Sequence, residues 1–160
     1  MSEKKGRSCI LPGSYDPVTL GHLDIIKRAA EEYDEVYAVI FTNPNKTYTF
    51  SLSDRVRMLM LACDGIDNCM VSYSDRFVID YMRDHEIEVI VKGVRNEEDI
   101  AYENIQAEWN KAHGGYDTVY IKADGALSGI SSTMARERIA KGESLSGILP
   151  EAVIDFLNRH

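Results

Sequence analysis

The 160-residue chain contains no apolar run close to the roughly 20 residues that a membrane-spanning helix requires. That scarcity argues against an integral membrane protein. Cysteine is also sparse: Cys9, Cys63 and Cys69 form no CxxC pair, which argues against a zinc or dithiol centre and leaves three thiols expected to be buried. Excess positive charge is missing as well. A net charge of −8 and a pI near 5.0 argue against bulk electrostatic binding of nucleic acid, while leaving room for a local cationic pocket. The segment from Met1 to Ser8 carries Lys4, Lys5 and Arg7 but lacks the apolar stretch of a secretory signal, so a cytoplasmic location is expected. Neither GxGxxG nor GxxxxGK[ST] occurs, so the common dinucleotide and P-loop explanations have no residues to rest on. No repeat, low-complexity tract or linker interrupts the chain, and one domain spanning residues 1–160 is expected.

What is present is an alternation of short apolar runs with amphipathic stretches. Ser8 to Leu11 reads as a strand ending at Pro12-Gly13, and Leu23, Ile26, Ala29 and Ala30 recur on one helical face. Glu35 to Thr42 is a second strand. A polar loop from Asn43 to Phe50 leads to Ser51 and Asp54, a capping-box-like start for a helix with Val56, Leu59, Met60 and Cys63 on one side. Strands at Met70 to Tyr73, Val89 to Val91 and Thr118 to Ile121 alternate with helices near Phe77 to Asp84 and Glu97 to Ala112, the latter broken by Gly114-Gly115. Tyr102 and Trp109, spaced along that helix, are expected to pack against the core. Ser131-Ser132-Thr133 suits the N-terminus of a helix reaching about Lys141, and Pro150 opens a last helix. Parallel strands need crossovers, so this order predicts an α/β, Rossmann-like, five-stranded parallel sheet with helices on both faces and further helices at the C-terminus.

Ligands of such sheets bind outside the carboxyl ends of the strands, which directs attention to the loops after strands 1, 2, 4 and 5. Those loops hold Gly13-Ser14-Tyr15-Asp16 with His22, then Lys46, then Lys92-Gly93-Val94-Arg95, and lastly Ser131-Ser132-Thr133 with Arg136. Cations, hydroxyls and helix-start amides of this kind suit phosphate groups, because helix N-termini favour anions and arginine offers a fork of donors. His22 has no cysteine or histidine neighbours at zinc-ligand spacing, and Ser14 stands in no GxSxG elbow, so neither a zinc site nor a serine nucleophile fits. A plain helix-capping histidine is the bland alternative. His85, His113 and His160 invite no more than such a reading.

The string GSYDPVTLGH at residues 13–22 resembles the first motif of the nucleotidyltransferases whose active site carries a (T/H)xGH element. Thr19 matches the phosphopantetheine adenylyltransferase branch, where the branches acting on nicotinamide mononucleotide or glycerol phosphate carry His. NPNK ending at Lys46, VKGVR at 91–95, DIAYENIQAEWN at 99–110 and ISSTMAR at 130–136 are similar to that branch too, so the resemblance covers nearly the whole chain. Four positions depart from the usual pattern: Tyr15 for Phe, Lys92 for Arg, Thr133 closing the serine string, and Leu127 where many members have Trp.

The resemblance implies direct transfer of the adenylyl group of ATP to 4'-phosphopantetheine, giving dephospho-coenzyme A and pyrophosphate, with no protein nucleophile. By the same resemblance His22, Lys46 and Arg95 are catalytic. ATP is expected against Ser14, Tyr15, His22, Gly93, Val94, Arg95 and Glu103, and against Leu127, Ser128, Gly129, Ile130, Ser131, Ser132 and Thr133. Ser14, Lys46, Val78 and Lys92 are expected to hold the acceptor. Mg2+ bound mainly through ATP phosphates, feedback by coenzyme A and a homohexamer are further implications. No nucleic-acid or membrane partner is expected, and the main competitor from another class is a catalytically silent nucleotide sensor.

Overall fold

The computed structural model of the chain describes residues 7–160; Lys4 and Lys5, and with them most of the N-terminal segment considered above, lie outside the described residues. In chain order the elements are β1 Ser8–Gly13, α1 Leu20–Glu32, β2 Glu35–Phe41, α2 Leu52–Cys63, β3 Cys69–Ser74, α3 Val78–His85, β4 Val89–Val94, α4 Glu97–Gly114, β5 Asp117–Lys122, α5 Ser132–Lys141 and α6 Glu151–Arg159. All pairings are parallel and the strand order is β3-β2-β1-β4-β5. The chain therefore winds one way from β1 to β3 and the other way from β4 to β5. The reversal leaves a crevice between the carboxyl ends of β1 and β4, the place where such sheets bind ligands.

Alternation along the strands decides which helices cover which face. Cys9 and Leu11 of β1, Ala38 and Ile40 of β2, and Val89 and Val91 of β4 share a core with residues of α1, α2, α5 and α6. Ile10, Val39 and Ile90 point the other way, toward Tyr81 and Met82 of α3. Central strands buried on both faces are apolar at nearly every position for this reason.

Several sequence-based expectations need correction. Lys92, Gly93 and Val94 are not loop residues but the last rungs of β4, paired with Tyr120, Ile121 and Lys122 of β5. Gly114 remains helical, and Gly115 alone takes the left-handed conformation that ends α4. Cys69 is only half-buried, unlike Cys9 and Cys63, because β3 is an edge strand. Tyr102 is 77% exposed and packs into no core, while Trp109 is half-buried against the rings of Phe77 and His113. Ser51 does cap α2 by accepting the Asp54 amide. The complete reciprocal capping box, however, belongs to α1, where Thr19 and His22 fill its two positions.

Candidate active site

The first loop leaves β1 through Gly13 and returns to α1 at Thr19. Tyr15 holds a positive φ of 48°, and its ring packs over Gly13, where an added Cβ would lie 3.2 Å from the ring edge. The phenol donates to the Leu11 carbonyl at 2.8 Å, so the hydroxyl that distinguishes Tyr15 from Phe is satisfied inside the fold. At the start of α1 the Thr19 hydroxyl accepts the His22 amide at 3.3 Å, and the Thr19 amide donates to His22 Nδ1 at 3.0 Å. An amide can only donate, so Nδ1 is the acceptor and the ring proton resides on Nε2. The ring is partly open to a cavity, yet the surrounding protein disfavours its charge. Desolvation, aided by the Lys92 ammonium, lowers its pKa to about 4. His22 is thus a neutral imidazole at neutral pH with an N–H to offer.

Two adjoining cavities share Tyr15, His22 and Ser132 in their walls. The first, about 340 Å³, opens at the β1/β4 crevice and is lined by Lys92, Gly93, Val94, Arg95, Glu103, Leu127, Ile130 and Ser131, among others. The second, about 330 Å³, is lined by Ser14, Asp16, Lys46, Tyr48 and Arg136. The N-termini of α1, α4 and α5 border the first cavity, through His22, Asp99 and Ser132. The positive ends of three helix dipoles make it receptive to anions, although the His22 and Asp99 amides themselves are taken by the Thr19 and Asn96 caps.

The cations are aimed by carboxylates. Arg95 Nε and its backbone amide both donate to Asp99, at 3.2 and 2.9 Å, and Lys92 pairs with Glu103 at 3.4 Å. Both carboxylates border the cavity and each is engaged by a cation. The Asp16 carboxylate accepts the amides of Thr49 and Phe50, each at 2.9 Å, and so ties the first loop to the loop that carries Lys46. Arg136 donates to the Asp16 carbonyl at 2.8 Å and to the Thr133 hydroxyl at 3.1 Å. Ser132 donates to the Pro17 carbonyl at 2.8 Å.

The structure therefore gathers most of the expected residues at one crevice, with Lys46 and Ser14 on one side of His22 and Arg95, Glu103 and Leu127 on the other. Lys46 and Lys92, both expected at the acceptor, line different cavities. Ser128, Gly129 and Thr133 stand beside residues of the first cavity without lining either one, and Val78 packs against the core around Tyr81 and Met82. Three contributors were not singled out from sequence: Thr19 as the holder of His22, Asp16 as the tie between loops, and Asp99 as the partner of Arg95. The signal for Asp99 was its spacing of four residues from Arg95 across a helix start. The pairing of Asp16 with residues 49–50 leaves no trace in local sequence.

Comparison with known proteins places the chain in a family. Residues 10–138 match the cytidylyltransferase-like family. A phosphopantetheine adenylyltransferase of Clostridium novyi is 36% identical over 155 residues, 96% of each chain. One from Corynebacterium efficiens is 37% identical over 151 residues, covering 94% of this chain and 95% of its own length. Among solved structures, a protein of Vibrio parahaemolyticus provisionally assigned as a nicotinate-nucleotide adenylyltransferase superposes with a TM-score of 0.70. It covers 96% of this chain and 93% of its own at 13% identity, a likeness of fold. By matched length and by identity alike, the chain belongs to the cytidylyltransferase-like family and, within it, to the phosphopantetheine adenylyltransferases.

Proposed function

We propose that the chain transfers the adenylyl group of ATP to 4'-phosphopantetheine. A phosphate oxygen of the acceptor attacks the α-phosphorus, the bond from that phosphorus to the bridging oxygen of the β-phosphate breaks, and pyrophosphate leaves. The observation that carries this reading is the position of His22 on the wall common to both cavities, with its N–H directed by the Thr19 amide. A donor between two anion-receptive cavities suits a reaction in which two phosphorylated molecules meet end to end.

In this reading ATP occupies the first cavity. Arg95 meets its outer phosphates, Gly93, Val94, Glu103 and Leu127 contact the nucleoside side, and the turn from Ser128 to Thr133 wraps the triphosphate. Ser14 and Lys46 hold the acceptor phosphate from the second cavity, and Lys92 approaches it from the first. His22 Nε2–H donates to an α-phosphate oxygen as charge builds in the transition state, so the protein supplies position and charge rather than a nucleophile. Magnesium, if it accompanies ATP, would be held mainly by the phosphates and would neutralise part of their charge; Asp99 and Glu103 are engaged by Arg95 and Lys92 and hold those cations at the cavity. Val78, which lines neither cavity, remains in this scheme only as the position assigned by resemblance to the pantetheine arm.

The reading extends to a single catalytic domain working in the cytoplasm as a homohexamer under feedback by coenzyme A. Among the described residues no helix is long and apolar enough to cross a membrane. Pyrophosphate release should be measured with ATP and, in parallel, 4'-phosphopantetheine or nicotinamide mononucleotide, and with CTP and glycerol phosphate. Turnover is expected only in the first pairing. Turnover confined to either of the others would overturn the substrate assignment, and nucleotide binding without any turnover would favour the sensor.

A further inference from the structure

Arg55 is the largest fully buried side chain of the described residues, 2% exposed, and no carboxylate among them comes within ion-pairing distance of it. A guanidinium taken out of water without a counter-charge is costly unless its donors are met. Each of its three nitrogens finds one acceptor. Nε donates to the Phe50 carbonyl at 3.1 Å, Nη1 to the Ser14 carbonyl at 3.2 Å, and Nη2 to the Thr42 hydroxyl at 3.4 Å. The guanidinium also lies 3.9 Å from the centroid of the Tyr48 ring. Thr42 and Phe50 bracket the loop that bears Lys46, Tyr48 lies within it, and Ser14 belongs to the first loop. Lys46 itself is exposed and lies 5.7 Å from the same ring, on a segment without regular secondary structure.

We propose that Arg55 is a positioning residue for the acceptor: it clamps both ends of the Lys46 loop against the Ser14 loop and so sets the second cavity for a phosphate. A buried arginine kept for packing alone is replaceable by an apolar side chain of similar volume. This one directs one N–H from each of its three nitrogens to Phe50, Ser14 and Thr42, which belong to or flank the two loops that line the second cavity. Its unpaired charge beneath that cavity favours an anion there as well. The inference rests on the assignment of the Lys46 side to the acceptor phosphate.

Arg55→Lys keeps the charge but cannot reach three acceptors at once. It is expected to raise the KM for 4'-phosphopantetheine about tenfold while the KM for ATP stays within about twofold. Because the effect passes through Lys46, the same substitution in a Lys46→Ala background should add less than about twofold. A merely structural arginine would raise both Michaelis constants alike, or cost the same in both backgrounds, and either result would overturn the proposal. Should Arg55→Lys not fold, Tyr48→Leu, a loop substitution beneath the same guanidinium, should give the same split between substrates, and an unchanged acceptor KM counts against the clamp. Amide hydrogen exchange provides a readout that needs no turnover: in Arg55→Lys, or in Tyr48→Leu if that variant is the one that folds, residues 43–50 should exchange faster while α3 does not. An inactive parent whose loop nonetheless loosens in this way would sink the assigned reaction and leave the clamp standing; unchanged exchange in the loop would sink the clamp.

Discussion

At the scale of single residues, His22 is the group whose state matters most. Its folded pKa, near 4, lies below the ordinary value of 6.5, so the unfolded chain takes up the proton first as pH falls. The site's contribution to stability is therefore whole above about pH 6.5 and is lost progressively as pH drops toward 4. By the same sign, His22 should impose no limb on the pH profile of kcat between about 5.5 and 8. A limb near 6.5 that disappears in a His22→Ala variant would mean the ring titrates normally. His22→Ala should lower kcat by about a hundredfold or more while calorimetry still detects ATP binding, since the donor acts on charge that develops in the transition state. Equal losses in binding and rate would contradict that role.

Leu127 makes a second prediction at this scale. It lines the first cavity, and its amide donates to the Asp124 carbonyl at 2.8 Å, starting the turn that runs to Ile130. Leu127→Trp should lower the Kd for ATP several-fold by adding a flat apolar surface against the nucleotide. Titration calorimetry would read the change, and weaker binding would mean the cavity is already filled by leucine.

At the scale of elements, the approach of α1 to β4 sets where His22 stands. Gly93 lies against Ile25 of α1, and a Cβ there would come within 2.8 Å of the Ile25 side chain. Gly93→Ala forces Ile25 to give way, and because that side chain is packed at the α1–β4 contact the substitution is expected to push α1 from the strand. A loss of about 1–3 kcal/mol in denaturant unfolding is expected, together with a fall in kcat as the imidazole shifts from the crevice. Unchanged stability would show that Ile25 yields without moving its helix. The elements themselves were largely legible in sequence. Apolar strings such as EVYAVIF and caps such as Ser51 and Ser131 are local signals, set by side-chain period and by hydrogen bonds within three residues. The end of β4 is different: Lys92-Gly93 has the local look of a strand terminus, whereas pairing with β5 continues the strand through Val94. That pairing is a long-range fact.

At the scale of the molecule, α4 stands out because only Asn110 of its 18 residues is buried. Tyr102 and Ile105 are 77% and 73% exposed, and Phe77 and Tyr73 add apolar surface beyond α4 itself. A helix this little buried, with large apolar side chains turned to solvent, favours contact with another chain. If the homohexamer forms through it, light scattering on the parent should give about six times the 18.0 kDa of the chain, and Ile105→Glu should give smaller species. A parent that runs as a monomer, or a variant of unchanged mass, would direct the assembly question to another face.

Period, capping and motif spacing are properties of neighbouring residues, so the alternation of strands and helices, the family likeness and the identity of the phosphate-seeking side chains are written in the order of the amino acids. The strand order that opens the crevice between β1 and β4, the division of the cations between two cavities and the burial of Arg55 beneath the Lys46 loop emerge from the folded chain alone. Those depend on contacts between residues far apart in the chain, such as Arg55 with Ser14 and Asp16 with Phe50, whose energies appear only once the sheet has brought the loops together.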